Sequence, residues 1–442
     1  MAVLASTIIV PNGYQSINHK IKGGFSFMKG SEFEVWVLHY SEYVLKFMVV
    51  NERNPVGFKK AHYLNWLKFV EACRLIVQPS ITLRKANEAR ELLRSFCKEY
   101  ATLFGPESIK PNFHYSIHLY DNIEQFGSSF NTSCFSLERM NGILKNSTGS
   151  RDITSIQHTY MTNFLESIHS SSLITSIGEN IFSQDQLDIL QDTVSSTFNY
   201  TLVDYQARIN FYKLSSYEYT KNNGKVTGSE DLYIKNNKRL ATDFQTINFT
   251  EMNVDHLELL VEYYKICYPN QSFTTILHSS KFSSNIAITT STVIPPNFVE
   301  SQIKVVKTFE LDVTYSSRLA RSMKGAYIQA FFIGPNTNDS VASYYGEIQY
   351  FFQHNLNLDG KNILHNFAFV KWFRLYSSSI FGAGEKSLEL CKGFEEIGAH
   401  SILPVHRIYS QITVACTKDN STNPRIPSGC VVIIPQEKKL FV

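Results

Sequence analysis

Apolar residues in the first third of the chain recur at steps of three and four. Phe33, Trp36, Val37, Tyr40, Val44 and Phe47 make one such stripe; Tyr63, Trp66, Leu67, Val70 and Leu75 make a second, which stops before Pro79-Ser80. A third, Leu83, Ala86, Ala89, Leu92, Leu93, Phe96 and Tyr100, is rich in interleaved Arg and Lys and ends near Gly105-Pro106. That spacing puts apolar side chains on one face of a 3.6-residue turn, so each stripe predicts an amphipathic helix. Further helices are expected between Ser116 and Phe126, between Phe135 and Leu144, and from about Asp152 to His169. The middle is patchier. Residues 184–195 and 253–267 read as helical, whereas 213–240, rich in Lys and Asn with Gly224 and Gly228, reads as an exposed loop.

From about residue 285 the period changes. Short runs rich in Thr, Val, Ile, Tyr and Phe follow one another: NIAITTSTVI, IKVVKTFELDV, AYIQAFFI, YGEIQYFF, NFAFVKWF, SQITVAC and GCVVIIP. Each ends near Gly, Pro, Asn or Asp, which predicts strands joined by turns and an antiparallel barrel or sandwich. The expected fold class is α+β. A helical part spans 1–170, a mixed helix and loop region connects through 171–284, and a β-rich, barrel-like part occupies 285–442.

Composition narrows the function classes. The 442 residues leave room for two or three domains, and 43% hydrophobic with 18% charged residues argues against a disordered or coiled-coil chain. A net charge of +3 does not by itself point to nucleic acid. The charge is uneven: +4 over 1–170, −5 over 171–300 and +4 over 301–442. This fits three segments with different partners, and equally an ordinary mixed surface. The seven cysteines include no CxxC pair, which excludes zinc ribbons and thioredoxin-like sites and fits a reducing compartment.

The start, MAVLASTIIVPNGYQ, lacks a basic n-region and is broken at Pro11-Asn12-Gly13, so it is a poor signal peptide. The chain is therefore expected in the nucleus or cytoplasm rather than secreted. With no apolar stretch of ~18 residues, no membrane partner is expected. No GxSxG elbow, phosphate-binding GxxxxGK[ST] or GxGxxG run occurs, which leaves hydrolase and nucleotide-cofactor chemistry without support.

Chemistry concentrates in residues 110–146, KPNFHYSIHLYDNIEQFGSSFNTSCFSLERMNGILKN. His114 and His118 stand at i and i+4, one helix face, which suits either a metal or two packing histidines near a junction. Further on, Glu138, Asn141 and Lys145 fall on one stripe, beside an apolar face of Leu137, Met140, Ile143 and Leu144. A carboxylate, an amide and an ammonium so aligned can face a metal or a phosphate, or simply solvent.

KPNxHYxxHL, a helix ending in FG, and CFxxERMNGILK together resemble the C-terminal catalytic region of CACTA-type (En/Spm-like) DNA transposases of fungal type. YLNWLKFVEACRLI, YSSRLARSMKGAYIQAFF, YYGEIQYFF, FAFVKWFR and ILPVHRIYS extend the resemblance over most of the chain. One departure is Gly127-Ser128-Ser129, where the family usually carries Gly-Pro and a Tyr/Trp-rich turn.

The resemblance implies a DDE-type transposase with an RNase H-like domain, here its late helical part, followed by a small antiparallel β-barrel. Such enzymes hold two Mg²⁺ or Mn²⁺ ions between two aspartates and one glutamate, and displace at a DNA phosphate. Glu138 matches the glutamate, as catalytic and metal-binding residue. Arg139, Asn141 and Lys145 would contact DNA beside it. Arg318, Arg321 and Lys324, interleaved with Tyr315 and Tyr327, would contact DNA from the β-rich part, since basic residues with aromatics hold nucleic acid on small barrels. Pro404-Val405-His406-Arg407-Ile408 fits a strand entry better than a phosphate contact.

The family's two aspartates lie well upstream of this region, whereas the first aspartate here is Asp121. The expectation is a transposase C-terminal portion, inactive and binding no metal alone. Its partners would be transposon-end DNA and either a second copy or the missing half. A non-catalytic DNA- or chromatin-binding module stays open beside it. If Glu138 is structural, Glu124 and Glu166 are the next carboxylates to consider.

Overall fold

A computed structural model describes residues 1–50, 57–78, 81–132, 134, 161–162, 165, 249–273, 275, 297–310, 314–333, 341–358, 361–376, 388–416 and 429–435. The helices expected over 135–144, 152–169 and 184–195, the loop over 213–240 and the strand NIAITTSTVI lie outside the described residues, apart from Met161, Thr162 and Leu165.

The N-terminal segment runs α1 (Ala2–Ala5), β1 (Ile8–Ile9), α2 (Asn18–Lys22) and α3 (Gly30–Val35). A π-helical turn, Trp36–Tyr40, joins α3 to α4 (Ser41–Val50). The first predicted stripe is therefore one continuous helical face with a widened turn inside it. A hairpin follows, α5 (Lys60–Ile76) and α6 (Leu83–Phe104). Thr82 caps α6 by accepting a hydrogen bond from the Lys85 N–H at 3.3 Å, and Gly105, at φ 90°, ends it where a side chain would be strained. Two short helices, α7 (Pro111–Ile117) and α8 (Leu119–Phe126), then meet at His118, and α9 (Ser129–Thr132) follows. Pro111 at the first turn of α7 costs no hydrogen bond there. Ala72, Leu75 and Ile76 of α5 meet Ala89 and Leu93 of α6, with Ile117 and Leu119 from the shorter helices beside them.

The second part opens with β2 (Thr250–Glu251) and α10 (Val254–Cys267), then β3 (Gln302–Val306), β4 (Thr308–Glu310), β5 (Thr314–Ser316) and β6 (Tyr327–Ile333). Two long strands, β7 (Val341–Leu358) and β8 (Lys361–Leu375), form its spine, followed by β9 (Glu389–Phe394), β10 (Ile402–Pro404), β11 (Ser410–Gln411), β12 (Thr413–Cys416) and β13 (Cys430–Ile434). All pairings are antiparallel. The main path is β1-β12-β13-β9-β8-β7-β3-β2; β6 joins β7 and β11, and β10 joins β8 off that path.

The sheet is not closed into the barrel that the sequence predicts. Its main path ends at β1 and β2, which do not pair with each other. The physical reason lies in β7 and β8, at 18 and 15 residues, which outrun a small barrel. Their outer halves pair with β3 and β10 and carry α10 on one face.

Period-two alternation sorts both faces. On β13, Cys430, Val432 and Ile434 face Trp36, Tyr40, Tyr43 and Phe47 of the N-terminal helices, while Ile433 faces Tyr327, Tyr345 and Phe373. On β7 and β8, Phe352, Leu356, Phe367 and Phe369 pack on Leu257, Leu260 and Tyr264 of α10, while Phe351, Ala368 and Val370 face the other way. Each such side chain contributes roughly 1.5–3 kcal/mol on burial. Strand β1 pairs Ile8 with Ala415 and Ile9 with Val414, so the start of the chain supplies an edge strand to the sheet built by its end. Gly346 of β7 leaves room for β8: a Cβ there would lie 2.5 Å from Val370 Cγ1 and 2.8 Å from Trp372 Cε3.

Candidate functional site

Glu138, Arg139, Asn141, Lys145 and Glu166 lie outside the described residues. The segment leading to them is described. Helix α7 rests on α6 through Phe113, whose ring is 5.7 Å from that of Phe96 at 9° and 4.9 Å from that of Tyr100. The Arg90 guanidinium lies 4.1 Å from the centre of the Tyr120 ring, which fixes α8 on the same helix. Glu124 is exposed on α8.

Three and seven residues after Pro111 begins α7, the chain carries its histidine pair on the solvent side. His114 and His118 are both exposed, so they are not packing histidines. Their Nε2 atoms are 3.3 Å apart, and His118 Nδ1 lies 2.8 Å from Asp121 Oδ2. His118 is the junction residue between α7 and α8, at φ −80° and ψ 0°, and its i, i+4 spacing from His114 puts the two rings side by side. Asp121 was legible as the third residue after His118, a helical neighbour.

The loop between β5 and β6 carries Arg318, Arg321 and Lys324. Their environments differ. Arg318 Nη1 donates to Glu347 Oε1 at 2.9 Å, and Glu347 beside it is buried. Those hydrogen bonds and the carboxylate charge raise the Arg318 pKa above its ordinary value. Lys324 Nζ donates to the Tyr14 carbonyl at 3.1 Å. Asn12 Nδ2 donates to the Thr314 carbonyl at 2.6 Å, tying the N-terminal segment to β5, the strand that precedes this loop. Arg321 is exposed and has no hydrogen-bond or ion-pair partner among the described residues. Two of the three basic residues thus have partners within the fold, although Arg318 is itself exposed, and Arg321 has none among the described residues. In the Pro404–Ile408 run, β10 ends at Pro404, a helical turn covers Val405–Arg407, and Val405 and Ile408 are buried, a packing role.

A buried polar layer lies between α10 and the spine of the sheet. His354 and His365 stand opposite each other across β7 and β8 on that face, and Gln353 and Asn366 stand opposite each other on the other face. Gln353 Nε2 donates to Asn366 Oδ1 at 3.0 Å. Tyr264 Oη and His354 Nδ1 are 2.9 Å apart, and His354 Nε2 lies 3.0 Å from the Glu300 carbonyl. Since that carbonyl only accepts, Nε2 carries the proton and Nδ1 accepts from the tyrosine. Burial pushes the His354 pKa down to about 3. His256 Nδ1 lies 2.7 Å from Tyr350 Oη and its ring stacks on Phe369 at 4.0 Å; burial also lowers its pKa. The His354–His365 and Gln353–Asn366 pairs are buried within the fold and stand opposite one another on neighbouring strands, an arrangement that helps to set strand register. Sequence reading passed over it, although QHN and LHN inside otherwise apolar strands are its signal.

Among the described residues no group of three or more His, Cys, Asp and Glu side chains comes together to hold a metal ion. None of the described helices is long and apolar enough to cross a membrane. No protein-family model matches the chain, nor does any curated protein or solved structure.

Proposed function

We propose that this chain works as the late portion of a DDE-type DNA transposase of CACTA type, engaging DNA without cutting it by itself. The observation that carries the reading is the ordered run from Lys110 to Lys145, with Glu138 in the position of the family's glutamate. In this reading the helical segment to about residue 170 is the late part of an RNase H-like domain, and the β-rich part holds DNA alongside it. Transposon-end DNA is the partner, with a second copy or an aspartate-bearing half completing the enzyme.

Two Mg²⁺ or Mn²⁺ ions need several carboxylates. The described residues bring no three His, Cys, Asp or Glu side chains together, and Glu138 lies outside them. No metal-dependent step is therefore derived for this chain. A second reading is a non-catalytic DNA- or chromatin-binding module of transposase descent, which needs no metal ion.

Both readings require DNA binding, and fluorescence anisotropy with a labelled duplex tests it. Binding is expected to weaken as salt rises, because displaced counterions drive phosphate contacts. Arg321→Ala is expected to reduce the salt slope by about 1, whereas failure to bind at low salt refutes both readings. Cleavage separates them when an aspartate-bearing half is supplied: the first reading expects activity that Glu138→Ala removes, and the second expects none.

A further inference from the structure

We propose that His114 and His118 bind one divalent transition-metal ion of the kind that takes imidazole, with Asp121 positioning His118. The two Nε2 atoms are 3.3 Å apart, a hydrogen-bond contact in which one ring donates to the other; a metal ion held by both displaces that proton to water. Two imidazole nitrogens sharing one tetrahedral Zn²⁺ at ~2.0–2.1 Å stand about 3.3–3.4 Å apart, so the pair already has the span of a chelate. Asp121 Oδ2, 2.8 Å from His118 Nδ1, holds the proton on Nδ1 and leaves the Nε2 lone pair for the metal. A carboxylate behind a ligating histidine is the usual arrangement in metal sites, where it fixes the tautomer and raises ligand basicity.

The support is firm and the access open. Phe113, beside His114, is clamped by Phe96 and Tyr100. The His118 and Asp121 side chains are 54% and 50% exposed, so water can complete the coordination. Imidazole ligands suit Zn²⁺, Ni²⁺ or Cu²⁺ rather than Mg²⁺. The site is thus distinct from the two-metal chemistry of a transposase, and it stands whether or not that reading holds. The ion would bridge the last turn of α7 to its junction with α8.

Titration calorimetry of the full chain with Zn²⁺ under thiol-free reductant tests this. One event of unit stoichiometry is expected, weakened at least ~10-fold in His114→Ala and in His118→Ala, and ~10–100-fold in Asp121→Ala. His19→Ala, an exposed control, should leave it unchanged. The side chains are exposed, so circular dichroism should show all variants folded; His114→Gln and His118→Gln provide the same reading if an alanine variant fails. Absence of Zn²⁺ binding, unchanged affinity in either histidine variant, or an equal loss in His19→Ala overturns the site. Unchanged affinity in Asp121→Ala overturns the positioning role.

Discussion

The Arg318 guanidinium holds the buried Glu347 carboxylate at 2.9 Å, with Arg318 itself 64% exposed and Glu347 only 6%. The pair anchors the loop after β5 to the middle of β7. Removing the arginine leaves a buried carboxylate with Gln349 Nε2 as its remaining donor. Arg318→Ala is expected to destabilise by about 1–2 kcal/mol, the exposed cation being screened by water. Urea unfolding should show a lower midpoint for Arg318→Ala and an unchanged one for Arg321→Ala.

A second ion pair is more deeply placed. Arg74 Nη2 of α5 lies 2.6 Å from Glu42 Oε2 of α4, with side-chain exposures of 13% and 1%. Beside it, Trp66 Nε1 donates to Ser41 Oγ at 2.9 Å. Together they join the α5–α6 hairpin to the helix layered on the sheet. Arg74→Met strands the Glu42 charge and should cost about 3–5 kcal/mol, read as a lowered urea midpoint. Replacing both residues, Glu42→Leu with Arg74→Met, should recover much of that loss.

His354 makes stability depend on pH. Burial holds its folded pKa at about 3, whereas the unfolded chain titrates near ~6.5. The fold therefore keeps the ring neutral while the unfolded chain takes up a proton below that value. The contribution is complete above about pH 6.5 and is lost as pH falls toward 3, at up to ~1.4 kcal/mol per pH unit. Chemical denaturation of the parent at pH 7 and pH 5 should show this loss. His354→Gln should lower stability at pH 7 yet show a shallower fall between the two.

Much of this architecture is legible in the sequence where one period dominates. The stripe from Leu83 to Tyr100 and the run at 253–267 are helices, α6 and α10, because their apolar faces are long and capped by Thr82 and Asn253. The strands from AYIQAFFI onward are equally plain. What local pattern cannot carry is the non-local pairing. Ile8 and Ile9 look like the apolar start of any chain, yet they pair with a strand some 400 residues later. Strand length is likewise hidden, since Gln353, His354, Asn355 and Asn357 interrupt the apolar run that becomes β7. The candidate site shows the same limit. HxxxH followed by Asp121 is visible as spacing, but the exposure of the pair and its 3.3 Å separation are set by which helix face packs on α6, which spacing alone does not show. Arg318 and Arg321 read alike in sequence and differ only because Glu347 arrives from another strand.

DNA binding without unaided cutting is the activity proposed for this chain. The most direct test is one labelled duplex incubated with the pure chain in Mg²⁺ or Mn²⁺ and divided between a native and a denaturing gel. The account predicts retarded DNA whose strands remain intact, with the parent and Glu138→Gln alike. Metal-dependent nicking lost in Glu138→Gln, or no retardation even at low salt, would contradict it.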